Sequence, residues 1–200
     1  MALEFLSLIG VFVFAVSGGL LAARKNLDVF GFVVLAFMPA CAGGTLRDLV
    51  LDTPVFWLSQ PINLWLTLAA ALFCFVGHRW LSRVGPVLVW FDAVGLSVFA
   101  ALGTAKTLDL GFEPIIAVTM GVVTAVAGGL VRDVIANEVP LVLEREVYAL
   151  AAFVGGVVVV LAGFIAPAWA VWLGVGSCLV VRGCAIVWHW SLPRAERPGS

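Results

Sequence analysis

The pattern Gly-Gly-x-x-Arg-Asp occurs twice in this chain, as "GGTLRD" from Gly43 and "GGLVRD" from Gly128, each time inside a run of apolar residues. Gly43 recurs as Gly128, 85 positions later. The same register, without a gap, pairs Gly10 with Gly95, Phe14 with Phe99, Ala15 with Ala100 and Gly18 with Gly103. It also pairs Ala42 with Ala127, Gly44 with Gly129, Arg47 with Arg132 and Asp48 with Asp133. Small and apolar residues coincide readily in a greasy sequence. An arginine–aspartate pair inside matching Gly-Gly frames does not, so one structural unit is expected twice.

The solvent of that unit follows from composition. The chain is 63% hydrophobic and 12% charged, whereas a soluble domain carries about 25% charged residues. So few charges cannot cover a water-facing surface. A spanning helix needs about 20 mostly apolar residues, and seven such runs are present: 3–23, 29–51, 61–80, 85–105, 114–136, 147–166 and 168–190. The expected fold class is an all-α polytopic membrane protein with seven transmembrane helices. Glu4 precedes the first run and no basic region leads it, so that run reads as a span and not a signal peptide. Eight tryptophans suit the two membrane interfaces. A net charge of −1 gives no basic field for nucleic acid.

Loop charges orient the spans. Arg24, Lys25, Arg79, Arg83, Arg145, Arg194 and Arg197 all follow odd-numbered spans. The opposite side has Lys106 with the acids Glu4, Asp52 and Asp109. The N-terminus is therefore expected outside and the C-terminus in the cytoplasm. Each repeat holds an odd number of spans, so the second copy must enter the membrane from the other side. The expected organisation is two inverted three-helix repeats, 1–84 and 85–166, then a seventh helix at 167–190 and a polar tail at 191–200. Inverted repeats with interrupted helices at matching positions are the plan of many transport proteins.

Pro39, Gly43 and Gly44 point to a kink or break in the second span. The fifth span has Thr124 in place of Pro39, so its bend would rest on Gly121, Gly128 and Gly129. A break frees carbonyls that must be satisfied in lipid, and beside a watery path they become cation ligands. The alternative use of the glycines is close helix packing. Arg47, Asp48, Arg132 and Asp133 either face the bundle interior or snorkel to the headgroups. Adjacent helical residues do not face each other, so Arg47 is expected to pair elsewhere, with a freed carbonyl or an acid of the other repeat. Asp92, whose mate in the other repeat is Ser7, is a candidate charge partner, ion ligand or interfacial cap. Arg182 has no acid within a helical turn and reads as snorkelling or as a subunit contact. Cys41, Cys74, Cys178 and Cys184 read as small buried hydrophobes. His78 and His189 share no ligand spacing. No tight metal site, cofactor motif or partnered nucleophile is present, so an enzyme is not expected.

These features together resemble the bacterial branch of the trimeric intracellular cation (TRIC) channel family. The residues that carry the resemblance are "FAVSGGLLAARKNLDVFG" from Phe14, "AGGTLRD" from Ala42, "FDAVGLSVFAALG" from Phe91, "AGGLVRD" from Ala127 and "YALAAFVGG" from Tyr148. The likeness runs from about Leu6 to Trp190. It implies a homotrimer in the bacterial inner membrane, surrounded by lipid, with a potassium pore in each protomer lined by the kinked second and fifth helices. The family's kinks then fall on Gly43, Gly44, Gly128 and Gly129, and its charged pore positions on Arg47, Asp48, Arg132 and Asp133. Family members often have a third small residue, usually glycine, before the pair; here Ala42 and Ala127 take that place. The lysine-based lipid motif of animal members is missing. The residues leave three functions open: a passive cation channel, a secondary carrier of a small solute such as glycine, and a non-transporting scaffold.

Overall fold

The structure is a computed structural model, and it describes residues 2–81, 87–144 and 147–190. The expectations for Arg83, Arg145, Arg194 and Arg197, for the junction at 84 and 85, and for the tail at 191–200 lie outside the described residues. In chain order the helices are α1 (Ala2–Arg24), α2 (Val29–Val50), α3 (Phe56–Ser59), α4 (Ile62–Leu81) and α5 (Val87–Asp109). They continue with α6 (Pro114–Ile135), α7 (Leu141–Glu144) and α8 (Tyr148–Ile165), then a 3₁₀ turn (Pro167–Trp169) and α9 (Ala170–Trp188). No strand occurs among the described residues. Six helices are long and apolar enough to cross a membrane, and α4 contributes a shorter apolar helix, Ile62–His78. The chain is thus an all-α membrane protein. The boundary between the last two spans falls at Ala166 and the 3₁₀ turn, where Pro167 has no N–H to continue α8.

The element bounds recur with the sequence register. Moving α1, α2 and α3 forward by 85 residues gives the bounds of α5, α6 and α7. The left-handed residue Asp52 (φ 51°) has its counterpart in Asn137 (φ 52°), and Asn26 (φ 53°) in Gly111 (φ 84°). Asp and Asn are among the few side-chain-bearing residues that adopt this conformation routinely.

Glycines set how the two halves meet. A Cβ on Gly43 would overlap the carbonyl oxygen of Thr124, and a Cβ on Gly128 would overlap that of Pro39. Thr124 is the counterpart of Pro39, so the contact is reciprocal and α2 crosses α6 antiparallel. At the centre Phe14 of α1 stacks on its own counterpart, Phe99 of α5, with ring centroids 5.4 Å apart. Gly95 faces Phe14 and Gly10 faces Phe99. Small residues let helix backbones approach this closely, which is the main source of helix attraction inside a bilayer.

One expectation needs correction. Both α2 and α6 run as single continuous helices, so of the kink or break expected at Pro39, Gly43 and Gly44, with its match at Gly128 and Gly129, the break is absent. Pro39 still leaves the Leu35 carbonyl without its helix donor. That carbonyl lies against Gly18 of α1, where a Cβ would overlap it, and so is covered by packing. In α6 the matching carbonyl, of Met120, accepts from the Thr124 hydroxyl at 2.6 Å.

Candidate functional site

Each Arg-Asp pair sits at the last turns of its helix, and the chain after it explains its geometry. Beyond α2, Asp52 turns left-handed, and Thr53 N–H donates to the Asp48 carbonyl at 2.9 Å. Glu138 N–H does the same to the Asp133 carbonyl, also at 2.9 Å. This six-to-one bond around a left-handed residue closes a helix C-terminus and reverses the chain. The first N–H of the following short helix then points back at the aspartate. Phe56 N–H donates to Asp48 Oδ2 at 2.9 Å, and Leu141 N–H to Asp133 Oδ2 at 3.0 Å.

With one oxygen so anchored, the other turns to its sequence neighbour. Arg47 Nε donates to Asp48 Oδ1 and Arg132 Nε to Asp133 Oδ1, both at 2.8 Å. Arg47 was expected to pair away from the adjacent aspartate, and this is corrected. Adjacent Cβ atoms diverge on a helix, but a long arginine folds back onto a carboxylate that the next loop holds in place. Neither arginine snorkels, since Arg47 and Arg132 are both buried.

The two ends then differ. Arg132 Nη1 also donates to Asp92 Oδ1 of α5 at 2.8 Å and to Ser17 Oγ of α1 at 2.9 Å. Arg132 and Asp92 are fully buried. One cation is thus shared by two carboxylates and ties α1, α5 and α6 together. At the other end the counterparts of Asp92 and Ser17 are Ser7 and Leu102, and Arg47 gains no such bonds. Instead Lys106 Nζ, from α5, donates to Asp48 Oδ1 at 2.7 Å. Here two cations share one carboxylate.

Asp48 is fully buried, whereas a third of the Lys106 side chain reaches solvent. Lys106 and Arg47 line a cavity of about 460 Å³ together with Glu4, Ser7, Gln60 and Asp109. This vestibule is lined from α1, α5, the α3 region and, on α2, Arg47. At the opposite end Lys25 pairs with Glu138 at 2.5 Å.

The glycine after each crossing contact serves the same cluster. Gly44 abuts the Phe56 ring, and Gly129 abuts the Tyr148 hydroxyl and Asp92. Arg182 is also buried and not snorkelling; its Cζ lies 4.8 Å from the Tyr148 ring centroid. Sequence reasoning passed over Ser17 and Tyr148 and treated Lys106 only as a loop charge. The available signal was a polar residue opposite an apolar or dissimilar mate in the 85-residue register: Ser17 opposite Leu102, Lys106 opposite Leu21, Tyr148 opposite Asn63. No metal-ligating cluster occurs among the described residues.

Comparison with known proteins agrees with this architecture. A family model described as "Glycine transporter" matches twice, over residues 4–79 and 89–163. The chain is 40% identical over 198 residues to the "UPF0126 inner membrane protein YadS" of Escherichia coli K12, covering 96% of both. It is 43% identical over 195 residues to a UPF0126 membrane protein of Vibrio cholerae, covering 96% of this chain and 82% of that one. Among solved structures it is similar to the TRIC trimeric intracellular cation channel orthologue from Rhodobacter sphaeroides, with a TM-score of 0.90, 38% identity, and 94% and 99% of the two chains covered. It is also similar to a prokaryotic TRIC channel in 0.5 M KCl, with a TM-score of 0.91, 31% identity, and 96% and 99% covered. The chain therefore belongs to the prokaryotic TRIC cation channel family, a family of channels and not of enzymes.

Proposed function

We propose that the chain forms a homotrimer in the bacterial inner membrane and that each protomer passes potassium or another monovalent cation along the α2–α6 crossing. In this reading the chain crosses the membrane seven times, as two inverted three-helix repeats (1–84 and 85–166) plus a seventh helix (167–190). The observation that carries it is the antiparallel, reciprocal crossing of α2 and α6, with a buried Arg-Asp cluster on each helix beyond the contact. Charges inside a membrane bundle mark such paths. The similarity to TRIC channel structures at TM-scores near 0.9 supports it.

Arginine beside a cation path is unusual, because cation pores use rings of acids. Here the guanidiniums act as closures. Arg132 screens two carboxylates, and its displacement would leave an acidic, cation-attracting end. At the vestibule, Lys106 sits on Asp48 where an entering cation would be held. Lys106→Met should raise potassium flux about fivefold, the effect of removing one unit charge some 4 Å from the site in water. Unchanged flux, with Asp48 still shielded, would remove Lys106 from the path.

A carrier of a small solute is the second reading, and the description of the matching family model as a glycine transporter favours it. Purified protein in liposomes under a potassium gradient separates the two. A channel gives flux linear in driving force without co-substrate. A carrier gives saturable, substrate-dependent exchange.

Orientation follows from Arg24 and Lys25 after α1, with Lys25 joined to Glu138 on the same face. The N-terminus is then outside, the C-terminus cytoplasmic, and the vestibule external. A phosphatase reporter fused after Trp190 should be silent; activity in the periplasm would reverse the assignment of both ends.

A further inference from the structure

A groove between α6 and α8 encloses about 200 Å³ and is apolar throughout. Pro114, Ile115 and Val118 form one wall, and α8 forms the other between Phe153 and Leu161. Asp109, which lines the vestibule, ends α5, and Pro114 starts α6 after a short loop. Groove and vestibule therefore open toward the same membrane face. Trp169, exposed just beyond α8, marks the interface at this end. From Leu161 to Phe153 the groove runs about 12 Å along α8, within the roughly 15 Å depth of one leaflet.

The first repeat places two rings at the matching position. Phe75 stands where Val160 does, and its ring packs edge-on against Phe32, whose mate is Ala117. The helix start differs as well. The Asp28 carboxylate caps α2 by accepting from Gly31 N–H at 2.8 Å, whereas its mate Glu113 makes no side-chain cap on α6. Ile115 and Ile116 are exposed, and their N–H groups have no carbonyl within the helix to take them. They sit at the positive end of the helix dipole, with the Glu113 carboxylate next to them in the chain.

We propose that this groove holds one phospholipid of the vestibule-side leaflet per protomer. An acyl chain lies between α6 and α8, the phosphate meets the first N–H groups of α6, and a headgroup amine pairs with Glu113. The trough suits hydrocarbon, the helix start suits an anion, and Glu113 suits a cation. Phosphatidylethanolamine carries all three in one molecule. Phosphatidylglycerol would set an uncompensated negative charge beside Glu113. The apolar face of a second copy would cover the trough but answer neither the N–H groups nor Glu113. The lipid fastens the start of α6, one of the two crossing helices, to α8. The proposal stands whether or not the crossing conducts.

The test is photolabelling of the intact trimer in mixed vesicles of phosphatidylethanolamine and phosphatidylglycerol. One lipid or the other carries a diazirine in its acyl chain, and mass spectrometry locates the labelled residues. Phosphatidylethanolamine should label the groove walls above the other lipid-facing helices. It should label them up to about fivefold more than phosphatidylglycerol does, the worth of one exposed charge pair. Val160→Phe restores the ring of the first repeat and should lower groove labelling to the level of the other helices. Val180→Phe, on the exposed face of α9, should leave it unchanged. Glu113→Gln should make the two lipids label alike while the groove stays labelled. Size-exclusion chromatography checks that each variant remains a trimer. Uniform labelling of all lipid-facing helices would overturn the proposal. So would equal labelling by the two lipids in the parent, or groove labelling that an intact Val160→Phe trimer retains. A cross-link to a neighbouring protomer from a photoreactive phenylalanine analogue at Phe153 would also overturn it, by seating a second copy in the groove.

Discussion

Arg132→Ala is expected to destabilise the protein by about 3–5 kcal/mol, the cost of leaving a buried ion pair with one partner. Asp92 would lose its Arg132 partner, and Asp133 would keep the Leu141 N–H. The three-helix tie through Ser17 would also be lost. Arg47→Ala is expected to cost far less, on the order of 1 kcal/mol. Asp48 retains Lys106 and the Phe56 N–H, and water reaches the vestibule beside it. The Arg47 variant should therefore assemble as a trimer with raised leak, while the Arg132 variant melts early. Thermal denaturation followed by size-exclusion chromatography reads both. Equal losses at the two positions would contradict the asymmetry between the ends.

Gly128→Ala and Gly43→Ala should each disable the channel, because the added methyl meets backbone and not a movable side chain. Overpacking a tight contact costs about 1–3 kcal/mol, and here it would push apart the two helices proposed to frame the path. Gly163 and Gly176 provide controls, since a Cβ at either meets nothing within 4 Å. Gly163→Ala and Gly176→Ala should melt and conduct like the parent. If Gly128→Ala conducts normally as an intact trimer, the path does not follow the α2–α6 crossing.

Much of this arrangement was readable before any coordinates. The 85-residue register foretold elements whose bounds repeat residue for residue, because the same spacing of glycines and turn residues forces the same helices and the same left-handed turns at Asp52 and Asn137. The importance of Gly43 and Gly128 was readable too, but their use was not. A glycine pair signals either a break or a close approach, and only the partner helix decides. That partner is 85 residues distant, and its carbonyls fill the space. The pairing of each arginine with the adjacent aspartate was hidden for a related reason. It depends on the loop that returns Phe56 or Leu141 to the carboxylate, a tertiary event that helix geometry alone argues against. Asp92 was identifiable as a charge in want of a partner, but its distance of 40 positions from Arg132 left the choice open. Ser17 and Tyr148 were lost among apolar neighbours, although each breaks the repeat at its own position.

The central claim is that each protomer carries its own cation path, entered at the vestibule that Lys106 closes. Single trimers of Lys106→Cys should conduct more than the parent. A thiol-reactive trimethylammonium reagent applied to the vestibule side restores a positive charge there. Cys41, Cys74 and Cys178 are buried, and parent trimers given the same reagent control for Cys184. The account predicts that potassium current falls in three equal steps, one per protomer of a trimer like that of the related channels. Current that stays constant after all three thiols are shown by mass to be modified, or that falls in a single step, would contradict it.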